Sequence, residues 1–231
     1  FMEKMILYHG SVNVIESPEF GRGNIRNDYG LGFYCTEHIE LAKEWACSGN
    51  RDGFANEYEI DLEGLDVLNL SDGNWHILNW MAILLKNRTF VINEGLAARA
   101  REYIIENFLP LYEDFDIIRG YRADDSYFSF ASAFLNNTIS LEQLSRAMTL
   151  GELGEQVVIK SRKAFDRLRF IGAVPAENET YYPLRSTRDR RARDEFRREK
   201  SGGAALDDIY IIDIVRNGWK NDDTRLRRDL P

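Results

Sequence analysis

The sequence predicts an α+β fold. Three observations support this prediction: the predicted strands and helices follow one another irregularly, no βαβ unit of even length recurs, and no internal repeat divides the chain. At 231 residues the chain has the length of one compact domain with a small appendage. Its hydrophobic content of 44% is sufficient for a buried core.

Strands are predicted where apolar and polar residues alternate over a few positions, or where β-branched residues cluster. Residues 5–9 alternate in this way, and turn-forming Pro and Gly residues then predict a loop at 11–27. Residues 56–70 alternate around Gly64, which predicts two strand pieces joined by a turn. The further predicted strands are 33–35, 116–119, 156–160 and 170–174.

Helices are predicted from periodic apolar residues and from capping residues. Thr36 is predicted to cap a helix whose apolar face is formed by His38, Leu41, Ala42 and Trp45. Ser140 and Gln143 have the spacing of a capping box at the start of another helix. Further helices are predicted at 73–86, 94–108, 124–135 and 207–215. The charged stretch 185–200 is either a solvated helix or a partly disordered segment.

Composition and net charge limit the classes of function that the sequence supports. The net charge of −8 is unlike the positive footprint of broad nucleic-acid binders. Cys35 and Cys47 are the only cysteines, and two cysteines by themselves cannot build a structural zinc site, so we expect no metal. They could form one disulfide, but without a secretory signal we expect two reduced thiols. The first residues contain no apolar leader pattern, and the longest mostly apolar segment, 75–85, is too short to span a bilayer. We therefore expect a soluble, cytoplasmic protein without a membrane partner.

Three separated segments carry the candidate chemistry: LYHGS at 7–11, GFYCTEHIELAKEWA at 32–46 and LGEQVVIKS at 153–161. They resemble the three motif strands of the diphtheria-toxin-like ADP-ribosyltransferases, the superfamily that includes the poly(ADP-ribose) polymerases. The chain resembles still more closely a family of uncharacterised bacterial proteins placed in that superfamily, which share the YHGS start, the GFY strand, an acidic ADD segment and a Gln in the third motif.

This resemblance implies a domain organisation and a fold. The fold would consist of split antiparallel sheets with surrounding helices, as in the ADP-ribosyltransferases. Residues 1–175 would form the catalytic domain, and 176–231 would be a charged helical C-terminal extension packed on the same domain.

The resemblance also implies NAD as co-substrate. His9 would bind the adenosine ribose, and the Gly10 backbone would pair with the nicotinamide carboxamide. Tyr34 and Trp45 would stack on the two faces of the nicotinamide ring. The glycines are interpreted as clearance for the dinucleotide, because they lack a side chain. The NAD-binding set is completed by Ser11, Gly32 and Gln156.

The third motif departs from the superfamily, which has Glu where this chain has Gln156. Gln can accept a hydrogen bond from the ribose 2′-hydroxyl, but it adds no negative charge beside a cationic transition state. A base would therefore come from the acceptor or from the acidic pair at 124 and 125. Glu155 points to the opposite strand face by alternation, and a Gln156→Glu change is expected to retain transfer or to increase NAD hydrolysis. The predicted catalytic residues are Gln156, Tyr34, His9, Asp124 and Asp125.

The predicted function is NAD-dependent mono-ADP-ribosyl transfer to an unknown protein or nucleic-acid acceptor. By analogy with the family, the protein would be a bacterial toxin or effector held silent by a small cognate inhibitor protein. The alternative is a catalytically weak module that binds NAD or ADP-ribose. A third function on the same fold, RNA 2′-phosphotransfer, is disfavoured because the extra basic residues that would hold a phosphate are missing near the motifs.

Overall fold

The computed structural model describes residues 4–92, 95–123, 125–148, 154–203 and 205–227. Within these ranges the chain forms seven strands in two sheets together with eight α-helices, which confirms the predicted α+β class. The chain divides into two compact units. Unit 1 comprises the described residues up to Ser71 with Tyr112–Arg122 and Gly154–Arg188, and unit 2 comprises the described parts of 72–111, 123–153 and 189–231. The predicted boundary between 175 and 176 falls inside unit 1.

All seven strands belong to unit 1. The first sheet is antiparallel and has the order β1-β3-β7, formed by β1 (Lys4–Ser11), β3 (Gly53–Asp61) and β7 (Leu168–Ala176). The second sheet has the order β2-β6-β5-β4, formed by β2 (Phe33–Cys35), β6 (Glu155–Ile159), β5 (Ile117–Tyr121) and β4 (Val67–Asn69).

The second sheet contains one parallel pair, β4 with β5. The prediction of antiparallel sheets is wrong for this pair. The sequence predicts that 56–70 forms two strand pieces around a turn, and the strand pieces are confirmed. The turn, however, carries the chain from β3 in the first sheet to β4 in the second, so the two pieces are not neighbours.

The two sheets meet at the edge strands β1 and β2. Tyr8 donates its N–H to the Thr36 carbonyl at 2.8 Å, and Thr36 donates back to Tyr8 at 2.9 Å. Buried apolar side chains from both sheets form one core cluster, which includes Leu7, Ile117 and Val157. This core fixes the motif strands β1, β2 and β6 relative to one another within unit 1.

The first helix of unit 1, α1 (Ile39–Ala46), begins later than the sequence predicts. Its N-cap is His38, and the prediction that Thr36 caps the helix is wrong. The backbone of Thr36 stays extended because it pairs with Tyr8, and its hydroxyl accepts the N–H of His38 at 3.2 Å. A long-range backbone pair therefore overrides the local capping signal.

Two further helices complete unit 1. The four-residue α6 (Arg162–Phe165), absent from the sequence prediction, is capped by the Ser161 hydroxyl, which accepts from Ala164 N–H at 3.0 Å. The chain from 185 to 200 is helical, as part of α7 (Asn178–Ser201), whose residues up to Arg188 belong to unit 1. Arg188 donates to both carboxylate oxygens of buried Glu44 on α1, at 3.0 and 2.8 Å, and so anchors α7 to the helix that carries Trp45.

Unit 2 is helical in its described part. It contains α2 (Ile77–Asn87), α3 (Leu96–Phe108), α4 (Asp125–Leu135), α5 (Leu141–Ala147), α8 (Ile211–Asn217), a 3-10 turn (Thr224–Arg227) and the remainder of α7. The predicted capping box of α5 is confirmed, since Gln143 N–H bonds the Ser140 hydroxyl at 3.1 Å and Ser140 N–H bonds the Gln143 side chain at 2.9 Å. In the described part of the chain, no helix is both long enough and apolar enough to cross a membrane.

Candidate functional site

His9 lies near the end of β1. Its Nδ1 is 2.7 Å from the carbonyl oxygen of Tyr34, and its ring stacks on Phe33 with centroids 4.3 Å apart. A carbonyl oxygen can only accept, so Nδ1 carries the proton and donates. Burial lowers the pKa of His9 below its ordinary value, although the bond to Tyr34 opposes that effect. The ring is therefore neutral at neutral pH, with Nε2 as an acceptor suited to a ribose hydroxyl.

Gly10 packs against helix α1. An added Cβ would collide with the carbonyl oxygen of Ala42 and would lie 2.7 Å from the nitrogen of Ala46. Packing of α1, rather than approach of a dinucleotide, therefore accounts for the missing side chain. Alternate residues of a strand direct their N–H and C=O to the same edge. Gly10 therefore presents its backbone groups at the edge where Tyr8 bonds Thr36, as pairing with a carboxamide would require.

Tyr34, on β2, is half-buried, and its hydroxyl closes a turn of the preceding loop. The hydroxyl donates to the Gly30 carbonyl at 2.6 Å and accepts the N–H of Tyr29 at 3.0 Å. Gly30 has φ +75°, a left-handed conformation that residues with a side chain rarely adopt. The Tyr34 hydroxyl thus stabilises the turn of this loop. Stacking of the Tyr34 ring on nicotinamide stays a prediction.

The same loop is held from two other strands. Tyr29 is fully buried and donates its hydroxyl to the Tyr121 carbonyl at 2.7 Å. The Lys160 ammonium donates to the carbonyl oxygens of Tyr29 and Leu31, both at 2.7 Å. These bonds fix the backbone immediately after Asp28.

Asp28 and Gln156 form a buried pair. They are 4% and 5% exposed, and Gln156 Nε2 donates to Asp28 Oδ2 at 3.2 Å. Among the described residues, the buried Oε1 of Gln156 has no hydrogen-bond partner. A buried acceptor without a partner costs about 1–3 kcal/mol, so this atom marks a place where a ligand donor is favourable. Sequence reasoning missed Asp28, whose only signal is that it opens the DYGLGFY stretch.

Glu155 precedes Gln156 on β6 and lies in a different environment. Arg119 on β5 bonds Glu155 at 2.7 Å and also bonds Glu37 at 2.7 Å. The alternation of β6 thus separates a partly exposed, ion-paired Glu155 from the buried Gln156. Gln156 is therefore the better candidate for the third motif residue.

Trp45 lies on α1 with one ring face covered. The Arg122 guanidinium lies 4.5 Å from the ring centroid, and the buried Nε1 of Trp45 has no hydrogen-bond partner among the described residues. Because the guanidinium occupies this face, the predicted stacking of Trp45 on a nicotinamide ring would need the opposite face, and it stays a prediction.

Ser11 and Gly32 have structural partners of their own. The Ser11 hydroxyl donates to the Asn13 carbonyl at 2.7 Å and accepts from Asn56 at 2.9 Å, so towards NAD it can act only as an acceptor. A Cβ at Gly32 would lie 2.6 Å from a methyl group of Val158 on β6. As with Gly10, packing within the protein rather than ligand clearance explains this glycine, and contact of Ser11 or Gly32 with NAD stays a prediction.

The predicted acidic pair is only partly described. Asp124 lies outside the described residues, and Asp125 is the first residue of α4, in unit 2. Their role as a base stays a prediction. The described residues contain no group of three or more His, Cys, Asp or Glu side chains that could hold a metal ion.

Three of the predicted motif residues, His9, Tyr34 and Gln156, lie close to the loop before β2 within unit 1. His9 bonds Tyr34, Tyr34 bonds Tyr29, and the neighbouring Asp28 bonds Gln156. Strands β1 and β6 thus each carry a side-chain acceptor, Nε2 of His9 and Oε1 of Gln156, and the buried Asp28 lies against Gln156. Each acceptor suits a hydroxyl donor of a ligand.

Comparison with known proteins gives one match. The sequence pattern of a family described as "Protein of unknown function (DUF3990)" matches residues 5–170. This range contains these three motif residues and Asp28. No curated protein and no solved structure matches the chain significantly.

Proposed function

The chain belongs to the DUF3990 family, and we propose that it is an NAD-dependent mono-ADP-ribosyltransferase. The observation that carries the proposal is a series of contacts: His9 bonds Tyr34, Tyr34 bonds Tyr29, and Asp28, the residue before Tyr29, bonds Gln156. His9, Tyr34 and Gln156 come from three separated motifs, yet all of these contacts lie within one unit.

The fold supports the same proposal. The motif residues lie on β1, β2 and β6, and the chain has two sheets whose edge strands touch at Tyr8 and Thr36. We propose that this is the split-sheet arrangement of the ADP-ribosyltransferases, with the parallel β4–β5 pair as a local addition. The nicotinamide end of NAD would lie where β1 continues past the bridge to Gly10.

The chain's own residues would bind and orient the dinucleotide. His9 Nε2 and Gln156 Oε1 accept ribose hydroxyls, the Gly10 backbone pairs with the carboxamide, and Tyr34 stacks on the ring. In the reaction, the acceptor's hydroxyl or amine bonds to the ribose C1′, the C1′–N bond breaks with its electron pair going to nicotinamide, and the acceptor's proton leaves to water. The site needs no general acid, because nicotinamide departs as a neutral molecule.

A binding module is the second candidate. It is favoured by Gln156, which carries no charge, and by Arg122, whose guanidinium already lies over one face of Trp45. Such a protein would hold NAD or ADP-ribose without breaking the C1′–N bond. In either case the acceptor or partner, and any role as a bacterial toxin with a small inhibitor, stay proposals.

The test is incubation of the purified protein with adenylate-labelled NAD and a bacterial extract, followed by separation of protein from nucleic acid. We expect the label to become covalently attached to macromolecules in one fraction, and a Gln156→Ala variant to attach at least ~10²-fold less. The control is Asp114→Asn, which changes an exposed carboxylate of unit 1. Saturable NAD binding without attached label would support the binding module instead.

A further inference from the structure

We infer that Asp28 is a positioning residue for Gln156, and that the two side chains together take the place of the single glutamate of the superfamily. This inference rests on the proposed function. It goes beyond that proposal because it assigns a second buried side chain to the site. It also explains how a chain with Gln in the third motif can still favour a cationic transition state.

The first step concerns the orientation of the Gln156 amide. An amide has one end that donates and one that accepts, whereas an ionised carboxylate only accepts. Asp28 Oδ2, at 3.2 Å, therefore selects the NH₂ end of Gln156. The carbonyl end is then directed away from Asp28, where Oε1 is buried and has no hydrogen-bond partner in the described part of the chain.

The second step concerns how firmly Asp28 is held. The residues that follow it are bonded to two strands, through Tyr34 on β2 and Tyr121 on β5, and to Lys160, the residue directly after β6. Preorganised groups pay no reorganisation cost when charge develops in the transition state. The loop therefore holds Asp28 in a fixed position beside Gln156. This contact in turn fixes the orientation of the Gln156 amide towards the substrate.

The third step concerns charge. The superfamily glutamate would place a negative charge directly on the ribose hydroxyl. Here the carboxylate lies one side chain further away and polarises the Gln156 amide, so that Oε1 becomes a stronger acceptor. Within a buried site, a nearby negative charge also favours the developing oxocarbenium ion.

This pair changes what a Gln156→Glu substitution should do. The sequence alone favours retained transfer, because Glu restores the superfamily residue. In the structure the new carboxylate would face Asp28 at about the distance of a hydrogen bond, and two adjacent carboxylates cannot both ionise comfortably. We therefore expect Gln156→Glu to lose transfer, and a second change, Asp28→Asn, to recover it by supplying an NH₂ donor to the new carboxylate.

The experiment compares five proteins: the parent, Asp28→Asn, Gln156→Glu, the double variant and the Asp114→Asn control. Two quantities are measured, the initial rate of label transfer from saturating NAD and the affinity for NAD by calorimetry. Circular dichroism verifies folding. We expect each site variant to transfer ~10²-fold more slowly with NAD affinity little changed, a loss typical of a defect in one preorganised group. Asp28→Asn can still accept from the Gln156 NH₂ group but removes the charge that polarises it, whereas Gln156→Glu places two carboxylates side by side. The double variant should recover most of the lost rate, and the control should equal the parent.

The possible outcomes separate the inference from the proposed function. If the parent transfers label and Asp28→Asn transfers equally fast, the inference is wrong and the proposed function stands. A double variant no faster than Gln156→Glu would also overturn the inference, and this comparison decides the matter if Asp28→Asn alone does not fold. If the parent neither binds NAD nor transfers label, the proposed function fails and the inference fails with it.

Discussion

At the residue scale, the contacts of His9, Tyr34 and Gln156 lie together in unit 1, around the loop that carries Asp28 and Tyr29. Their contact with NAD stays a prediction. The sequence predicts that the glycines leave room for a dinucleotide, whereas Gly10 and Gly32 lack a side chain because they pack against α1 and β6. A sequence shows that a glycine has no side chain, but it does not show which atoms fill the space beside it. Contacts between residues far apart in the chain are equally absent from the sequence, so the role of Asp28 could not be predicted.

A Gly10→Ala substitution tests the packing explanation. The new methyl group would collide with the backbone of α1 at Ala42 and Ala46, which are backbone atoms that cannot rotate away. Overpacking of this kind typically costs about 1–3 kcal/mol, and we expect at least that loss in the free energy of unfolding measured in urea.

The matched control is Gly172→Ala, on β7, where an added Cβ has no atom within 4 Å. This variant should be neutral or stabilised by about 0.4–1 kcal/mol, because alanine reduces the freedom of the unfolded chain. Equal stability of the two alanine variants would show that α1 does not need a glycine at position 10.

At the element scale, local sequence patterns predict most of the strands and helices. They do not predict where some helices begin or which strands pair with one another. Strand β2 and helix α5 match their patterns closely because both are specified locally, by an apolar run and by a capping box. Thr36 has an equally good capping signal, yet its backbone is used by Tyr8 on a distant strand. The parallel pairing of β4 with β5 likewise depends on a partner some 50 residues away, which periodicity does not encode.

Removal of the α5 cap by Ser140→Ala should destabilise the protein. The hydroxyl of this buried serine accepts the N–H of Gln143 at 3.1 Å, and its loss leaves that buried donor unsatisfied. Loss of a capping hydroxyl typically costs about 0.5–2 kcal/mol, which urea unfolding can measure. The control is Ser17→Ala, at an exposed loop position, which should change stability by less than about 0.5 kcal/mol. Equal effects of the two changes would contradict the capping role.

At the scale of the whole molecule, stability should depend on pH through a buried histidine in unit 2. His76 is 5% exposed and contacts Phe108 with ring centroids 5.6 Å apart, and burial lowers its pKa to about 4. In the unfolded chain the ordinary value is about 6.5, so between these values the unfolded state binds the extra proton. Stability is therefore full above about pH 6.5 and is lost as the pH falls towards 4.

We expect protonation of this histidine in the unfolded chain to lower the free energy of unfolding by about 2 kcal/mol when the pH falls from 7 to 5. The measurement is urea unfolding at both pH values for the parent and for His76→Gln. Since glutamine does not titrate, the variant should lose about 2 kcal/mol less than the parent over the same interval. An identical pH dependence in both proteins would show that His76 is not the group responsible.

The central claim, that this unit cleaves NAD and transfers ADP-ribose, is tested most directly by a reaction with NAD labelled in both its nicotinamide and its adenylate portions. Both labels are counted after incubation with a bacterial extract. We expect the adenylate label to become covalently attached to macromolecules while the nicotinamide label is released as the free base, and neither to happen with Gln156→Ala. If the two labels stay together, whether free or bound to the protein, the C1′–N bond has not been broken and the protein is not an ADP-ribosyltransferase.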